Sequence, residues 1–371
     1  MLRILAVEPY YGGSHKAFLD GYRAHSRHSV ELLTMPARKW KWRMRGAALS
    51  MGRELAERSD AFDLLFASDF VDLAALLGTQ KRWLRGIPCV AYFHENQLTY
   101  PVPSEDERDY QFGFTNITTC LAADRVLFNS RYHLDSFLAA AERLLGRMPD
   151  FVPDWAPDAI RARSMVVPVG VDFSSIDAAR SAHQPEPDAP LTVLWNHRWE
   201  YDKGAEEFFG VITWLDAEGY EFSLCVTGES FREVPPVFEA ARRSLAGRIK
   251  TFGYLGSRAD YVRALVESDV VVSTAAQEFF GISVVEAIRA GCAPLLPNRL
   301  SYPEIIPEPW HAQCLYEGLA DLEGRLVHWL AHPEQARSIG LSGAMSRFGW
   351  DQVAPALDEV MEQACVGGGH A

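Results

Sequence analysis

The feature that most constrains this chain is an alternation, met twice, of short apolar or β-branched runs with stretches of helical periodicity. In the first half the runs open with Met1-Leu2-Arg3-Ile4-Leu5-Ala6-Val7 and continue with residues 30–34, 64–67, 88–93, 125–128 and 165–169. In the second half they fall at 191–195, 222–227, 249–252, 270–274 and 293–296. Strands separated by helices build a parallel sheet covered on both faces. Between the two series, after Val171-Asp172, lies His183-Gln184-Pro185-Glu186-Pro187-Asp188-Ala189-Pro190, which is rich in proline and poor in strand formers and reads as a linker. A chain of 371 residues exceeds one ordinary core and suits two. The expectation is an α/β chain with domains at 1–177 and 189–345, and a last segment, 346–371, whose helical pattern at 350–362 crosses back onto the first domain.

Hydrophobic residues make up 48% of the chain, so the whole of it has the material for packed cores. The formal net charge is -13, so contact with a polyanion requires a local basic patch acting against the overall field. Six scattered cysteines without a Cys-x-x-Cys pair indicate a reducing compartment. The N-terminal apolar run is short for a signal peptide, and no run reaches the eighteen or so residues of a membrane span. A soluble, cytoplasmic protein is expected, with no membrane and no obligate protein partner.

Gln277-Glu278-Phe279-Phe280-Gly281-Ile282-Ser283-Val284-Val285-Glu286 spans a strand-to-helix turn. A helix opening at Gly281 presents unpaired N–H groups and the positive end of its dipole, which favours a phosphate. Carboxylates beside such an end suit sugar hydroxyls, so Glu278 and Glu286 mark a nucleotide-sugar site; solvated charges are the plainer alternative. Asn196-His197-Arg198-Trp199-Glu200-Tyr201-Asp202-Lys203-Gly204 follows the first strand of the second series. Arg198 and Lys203, five apart at a strand's carboxyl end, can converge on a diphosphate.

In the first half, Tyr11-Gly12-Gly13-Ser14-His15-Lys16 is a glycine-rich turn between strand and helix. His94-Glu95-Asn96-Gln97 closes a strand with a polar cluster suited to a sugar-binding edge, although a lone histidine is most often structural. Neither His-Glu-x-x-His nor clustered cysteines point to zinc. Arg38-Lys39-Trp40-Lys41-Trp42-Arg43-Met44-Arg45 is the densest basic run and interleaves two tryptophans. Nucleic-acid contact and a surface helix with inward tryptophans stand level for it.

Glu278 and Glu286 at Glu-x7-Glu spacing, the loop of Arg198 and Lys203, and Pro168-Val169-Gly170-Val171-Asp172 together resemble family 4 of the retaining GT-B glycosyltransferases. More narrowly, the runs at 11–16, 36–43, 94–101, 107–111 and 197–203 resemble the tRNA-queuosine mannosyltransferases, over nearly the whole chain. The resemblance implies a GT-B fold, two Rossmann-like domains facing a central cleft, with the acceptor on the first and the nucleotide sugar on the second. It implies transfer of mannose from GDP-mannose to the cyclopentene-diol of queuosine in the tRNA anticodon, with no metal or other cofactor. Arg198 and Lys203 would stabilise the leaving diphosphate with backbone N–H groups at Phe280, Gly281 and Ile282 and at Gly12 and Gly13. Glu278 would bind sugar hydroxyls, Glu286 the ribose, and His94 would lie by sugar and acceptor. Arg38, Lys39, Trp40, Lys41, Trp42 and Arg43, with Glu95, Asn96 and Gln97, would meet the acceptor tRNA. The segment 144–163 matches nothing in that resemblance. Another sugar nucleotide with a small or lipid-linked acceptor, or a binding protein without catalysis, remain the alternatives.

Overall fold

A computed structural model describes residues 1–58, 61–102, 108–184, 186–230 and 234–367. Pro185 of the proline-rich stretch and Glu107 of the 107–111 run lie outside them. The chain forms two compact units, one of Met1–Val171 with the segment from Trp350 onward, the other of Asp172–Gly349.

In the first unit the strands are β1 (Arg3–Tyr11), β2 (Ser29–Pro36), β3 (Leu64–Ser68), β4 (Cys89–Phe93), β5 (Arg125–Phe128) and β6 (Ser164–Val166). They pair in parallel in the order β2-β1-β3-β4-β5-β6. The chain lays β2 on one side of β1 and then returns to lay β3 on the other, so a crevice opens beyond the carboxyl ends of β1 and β3. Every residue of β3 and β4 is buried, as expected when helices cover both faces of a parallel sheet. Strand β6 is shorter than the apolar run at 165–169. Val167 donates one more bond, to the Phe128 carbonyl at 2.9 Å, and Pro168 has no N–H with which to continue.

In the second unit the strands are β7 (Thr192–Trp195), β8 (Ser223–Thr227), β9 (Ile249–Gly253), β10 (Val270–Val272), β11 (Ala293–Pro297) and β12 (Leu315–Tyr316). Their order is β12-β11-β10-β7-β8-β9, again parallel. The two-residue β12 is too short to leave a periodic signal. Here the crevice opens between β7 and β10, whose following loops carry Arg198 with Lys203 and Glu278 with Gly281.

The boundary differs from the expected one. Helix Ser174–Ala182, which the expected limit at residue 177 cuts through, belongs as a whole to the second unit. Asp177 takes Arg289 in a two-pronged ion pair at 2.6 and 2.7 Å, and Arg180 donates to the Ser342 hydroxyl at 2.9 Å. The described proline-rich residues are surface chain tied to the second unit, because Arg337 holds the carbonyls of Pro187 and Ala189.

Helix Trp350–Gly367 packs in the first unit. A Cβ on Gly21 or on Gly170 would overlap the Trp350 ring, so two glycines make the slot it fills. Asp358 is buried and accepts from the Tyr22 hydroxyl and the Arg27 N–H, both at 2.9 Å, and Glu362 pairs with Arg27 at 2.7 Å.

Candidate active site

At the crevice of the first unit, three strands end in titratable groups. Glu8 lies inside β1 and is fully buried, with Oε1 accepting the Tyr10 N–H at 2.7 Å and Oε2 meeting His15 Nδ1 at 2.8 Å. The turn that delivers His15 uses Gly13 at φ 51, the left-handed region that glycine tolerates best. Helix Gly13–His25 starts there, with its first N–H groups at the crevice. Burial works against charge on His15, but Glu8, with Asp69 and Glu95 adding to it, outweighs burial and raises the pKa to about 9, so His15 is an imidazolium at neutral pH.

His94 follows β4, its N–H donating to Asp69 Oδ1 at 3.0 Å and its carbonyl accepting from Asn129 at 2.9 Å. Its ring lies 4.2 Å from that of His15, between the edge of Phe18 and Tyr92. Burial, then the charge on His15, push the His94 pKa well below the usual imidazole value, so this ring is neutral. Burial also raises the Asp69 carboxyl well above its usual range; His15 opposes that rise, and Glu95 and Glu8 add to it. Glu8, His15 and His94 lie at metal-ligand spacing, within 4.8 Å of one another among the described residues. A protonated His15 has no lone pair to give a metal.

The polar cluster after His94 is partly self-satisfied. Asn96 is fully buried and accepts from the N–H groups of Leu98 and Thr99 at 3.0 and 2.9 Å, closing its own turn. It is a turn former and is withdrawn as an acceptor contact. Gln97 donates its amide to Glu95 at 3.0 Å, at the rim of the same turn.

The basic run opens helix Trp40–Glu57. Arg38, Lys39, Lys41 and Arg45 are exposed, and Trp42 is 63% exposed. Arg43 instead turns inward, only 7% exposed, to donate to the Pro36 carbonyl at 3.2 Å. Trp40 packs on Phe112 and Phe70, with centroids 5.2 and 6.5 Å away. Arg43 and Trp40 are thus structural, because the helix turns those two positions toward the sheet while 38, 39, 41, 42 and 45 face out.

In the second unit, Lys203 is 7% exposed and ends a short 3-10 turn before Gly204, itself at φ 66. Its ammonium donates to the Gln277 carbonyl at 2.8 Å and pairs with Asp202 at 3.0 Å and Glu278 at 3.6 Å. Burial opposes the charge, but Glu278 and Asp202 outweigh it and raise the pKa. Arg198 is half-exposed and meets Glu200 at 3.1 Å. Gly281, at φ 103, caps helix Ile282–Ala290, leaving the first N–H groups of that helix without intrahelical partners. The Phe280 ring is buried edge-on against Phe348, so this residue offers only its backbone to a ligand.

Glu286 is buried and carries an ion pair with Arg258 at 2.7 Å and a hydrogen bond from Tyr261 at 3.1 Å; burial raises its pKa in spite of both. Beside it a cavity of about 270 Å³ is lined by Asn196, Thr227, Glu229, Arg258 and Tyr261 among others. Asn196 Oδ1 and Thr227 Oγ1 are buried there without a partner among the described residues. Sequence reasoning passed over Glu8, His15, Asp69 and Arg258. A carboxylate within the apolar β1 run was the one readable signal.

Residues 3–171 match the family model described as tRNA-queuosine alpha-mannosyltransferase N-terminal, and residues 178–338 match that of the group 1 glycosyl transferases. A tRNA-queuosine alpha-mannosyltransferase of Drosophila melanogaster is 38% identical over 340 residues, 90% of this chain and 88% of the relative. The chain belongs to the tRNA-queuosine alpha-mannosyltransferase family. Solved structures add the fold. Sucrose-phosphate synthase from Thermosynechococcus elongatus superposes with a TM-score of 0.73 at 17% identity, covering 99% of this chain and all of that one. Anabaena HepE in complex with UDP-glucose gives 0.67 at 14% identity, covering 98% and 100%. This member of the family is therefore a glycosyltransferase of the GT-B fold, and the two model matches fall one on each unit. No helix among the described residues is long and apolar enough to cross a membrane.

Proposed function

We propose that the protein transfers mannose from GDP-mannose to the cyclopentene-diol of queuosine in the tRNA anticodon, retaining the anomeric configuration, as a cytoplasmic reaction without a metal. The observation that carries the reading is the extent of the similarity to the Drosophila enzyme, which spans 90% of the chain. In this reading the diphosphate of the donor sits at the β7/β10 crevice. Arg198, Lys203 and the N–H groups at Gly281 and Ile282 meet it there and stabilise the charge that develops as the nucleotide leaves. Gly12 and Gly13 offer the corresponding backbone donors in the first unit. Glu278, already beside Lys203, takes sugar hydroxyls. Glu286, with lone pairs to spare beyond Arg258 and Tyr261, takes the ribose. The partnerless Asn196 Oδ1 and Thr227 Oγ1 mark the adjacent cavity as the place for polar groups of the nucleoside. His94, neutral, accepts a hydrogen bond from a substrate hydroxyl, and Arg38, Lys39, Lys41 and Trp42 meet the tRNA.

The test is incubation with labelled GDP-mannose and tRNA carrying queuosine, beside the same tRNA with unmodified guanosine. A hexose mass shift on the queuosine nucleoside alone is expected. No shift with any sugar nucleotide would refute the reading.

A further inference from the structure

The Glu8–His15 pair has no part in the diphosphate chemistry just described. A fully buried carboxylate inside a central strand is costly unless paired, and here one oxygen holds the Tyr10 N–H while the other holds His15 Nδ1 at 2.8 Å. His15 is placed in the first turn of helix Gly13–His25, where the helix dipole disfavours a cation. Its ring nevertheless lies 4.2 Å from that of His94, the two planes tilted by 41°. The His94 backbone is held at its N–H by Asp69 and at its carbonyl by Asn129, and its ring packs against Phe18 and Tyr92, with centroids 4.8 and 4.7 Å away.

We propose that Glu8 and His15 are positioning residues for His94: the carboxylate anchors His15 as a fixed cation against the His94 ring, which keeps that ring an uncharged hydrogen-bond acceptor for a substrate hydroxyl. Two imidazolium rings at this separation would repel in a site of low polarity, so only one of the pair carries a proton. Glu8 decides which one, because it touches His15 and not His94. The groups acting on the pair are Glu8 and Tyr10 from β1, Asp69 after β3, Tyr92 from β4 and Glu95 after it, and His133, which lowers His94 as His15 does. Glu8, then Asp69 and Glu95, act in the direction that keeps His15 charged. The directions agree with that division: His15 raised to about 9, His94 held well below the usual value.

The role given to His94 rests on the mannosyl-transfer reading; the ion pair does not, and the experiment has one arm for each. In the first arm, histidine-labelled wild-type protein, Glu8→Gln and His15→Gln are titrated by NMR from pH 5 to 10 without substrate. Glu8→Gln keeps the shape and the acceptor for Tyr10. The expected result is a histidine titrating near 9 that vanishes in His15→Gln and moves below neutrality in Glu8→Gln. The His94 signal should stay neutral throughout in the wild type and rise toward the measured range in both variants. If Glu8→Gln does not fold, the His94 signal in His15→Gln decides. No histidine titrating above pH 8, or a His94 signal indifferent to both substitutions, overturns the proposal. In the second arm, transfer kinetics are followed against pH. The wild-type to Glu8→Gln ratio of kcat should be about tenfold at pH 6, where the His94 ring of the variant takes up a proton and one acceptor is lost, and fall to near unity at pH 8, where both rings are neutral. KM for the nucleotide sugar should hold. A flat ratio with the expected NMR result overturns the link to His94. Absence of transfer by the wild type refutes the mannosyl reading and leaves the first arm to judge the pair.

Discussion

Replacing Lys203 with Met should damage the second unit in two separable ways. The ammonium is buried, donates to the Gln277 carbonyl at 2.8 Å and sits 3.0 Å from Asp202 and 3.6 Å from Glu278. Its removal strands the carboxylate of Asp202, which is itself buried. Breaking a buried pair from one side costs about 3–5 kcal/mol, and for a unit of this size each kcal/mol lowers the melting temperature by about 2–4 °C. The Lys203→Met variant should therefore melt roughly 10 °C lower in the second-unit transition. Turnover should also fall, by roughly a hundredfold or more, the loss seen when a donor to developing charge is removed. The double variant Asp202→Asn with Lys203→Met separates the two effects, since it removes both charges. Differential scanning calorimetry should find most of the lost stability recovered, whereas labelled-mannose transfer should remain as low as in the single variant. Recovery of turnover along with stability would refute the assignment of Lys203 to the leaving diphosphate, leaving it as a structural ion pair. An unchanged melting temperature in the single variant would refute the structural half.

Three further outcomes are expected. Replacing Arg38, Lys39 and Lys41 together with Ala should weaken tRNA binding most at low salt and flatten the log-log salt slope by about 0.7 to 0.9 per lost contact, whereas Arg43→Ala should lower thermal stability and leave that slope alone, as measured by filter binding across salt. Turnover should be the same in EDTA as in magnesium, because Arg198, Lys203 and helix N–H groups supply the charge stabilisation; a dependence on added divalent ion in the transfer assay would contradict that account of the site. Gly170→Ala should destabilise the first unit by about 1–3 kcal/mol through overpacking against Trp350, and equal urea midpoints for variant and wild type would show that the slot can relax.

What the chain states by itself is local. Nine of the eleven expected strands end within two residues of their observed limits, because a strand buried on both faces is written as an unbroken apolar run. The run at 165–169 goes past β6 because the apolar pattern continues while Pro168 breaks the ladder, and the run at 1–7 stops short of β1 because the strand continues through the polar Glu8 to Tyr11. The glycine at 281, the glutamates at 278 and 286 and the pair Arg198 and Lys203 are likewise local, since each motif lies in the loop after one strand or in the helix that the loop opens. What only the tertiary structure decides is every pairing between loops. Glu8, Asp69 and His94 lie far apart in sequence and meet because a parallel sheet brings the carboxyl ends of β1, β3 and β4 to one edge. The pattern at 38–45 showed a basic helix but not that Arg43 and Trp40 point in, which depends on the sheet and on Phe70 and Phe112 beneath them. Composition put a boundary in the proline-rich stretch, yet the units part at Val171 because Arg289 and Ser342, more than a hundred residues onward, hold the helix of Asp177 and Arg180. Hydrophobic period and turn chemistry act over a few residues, whereas charge pairing and helix docking depend on which distant segments the sheet order makes neighbours.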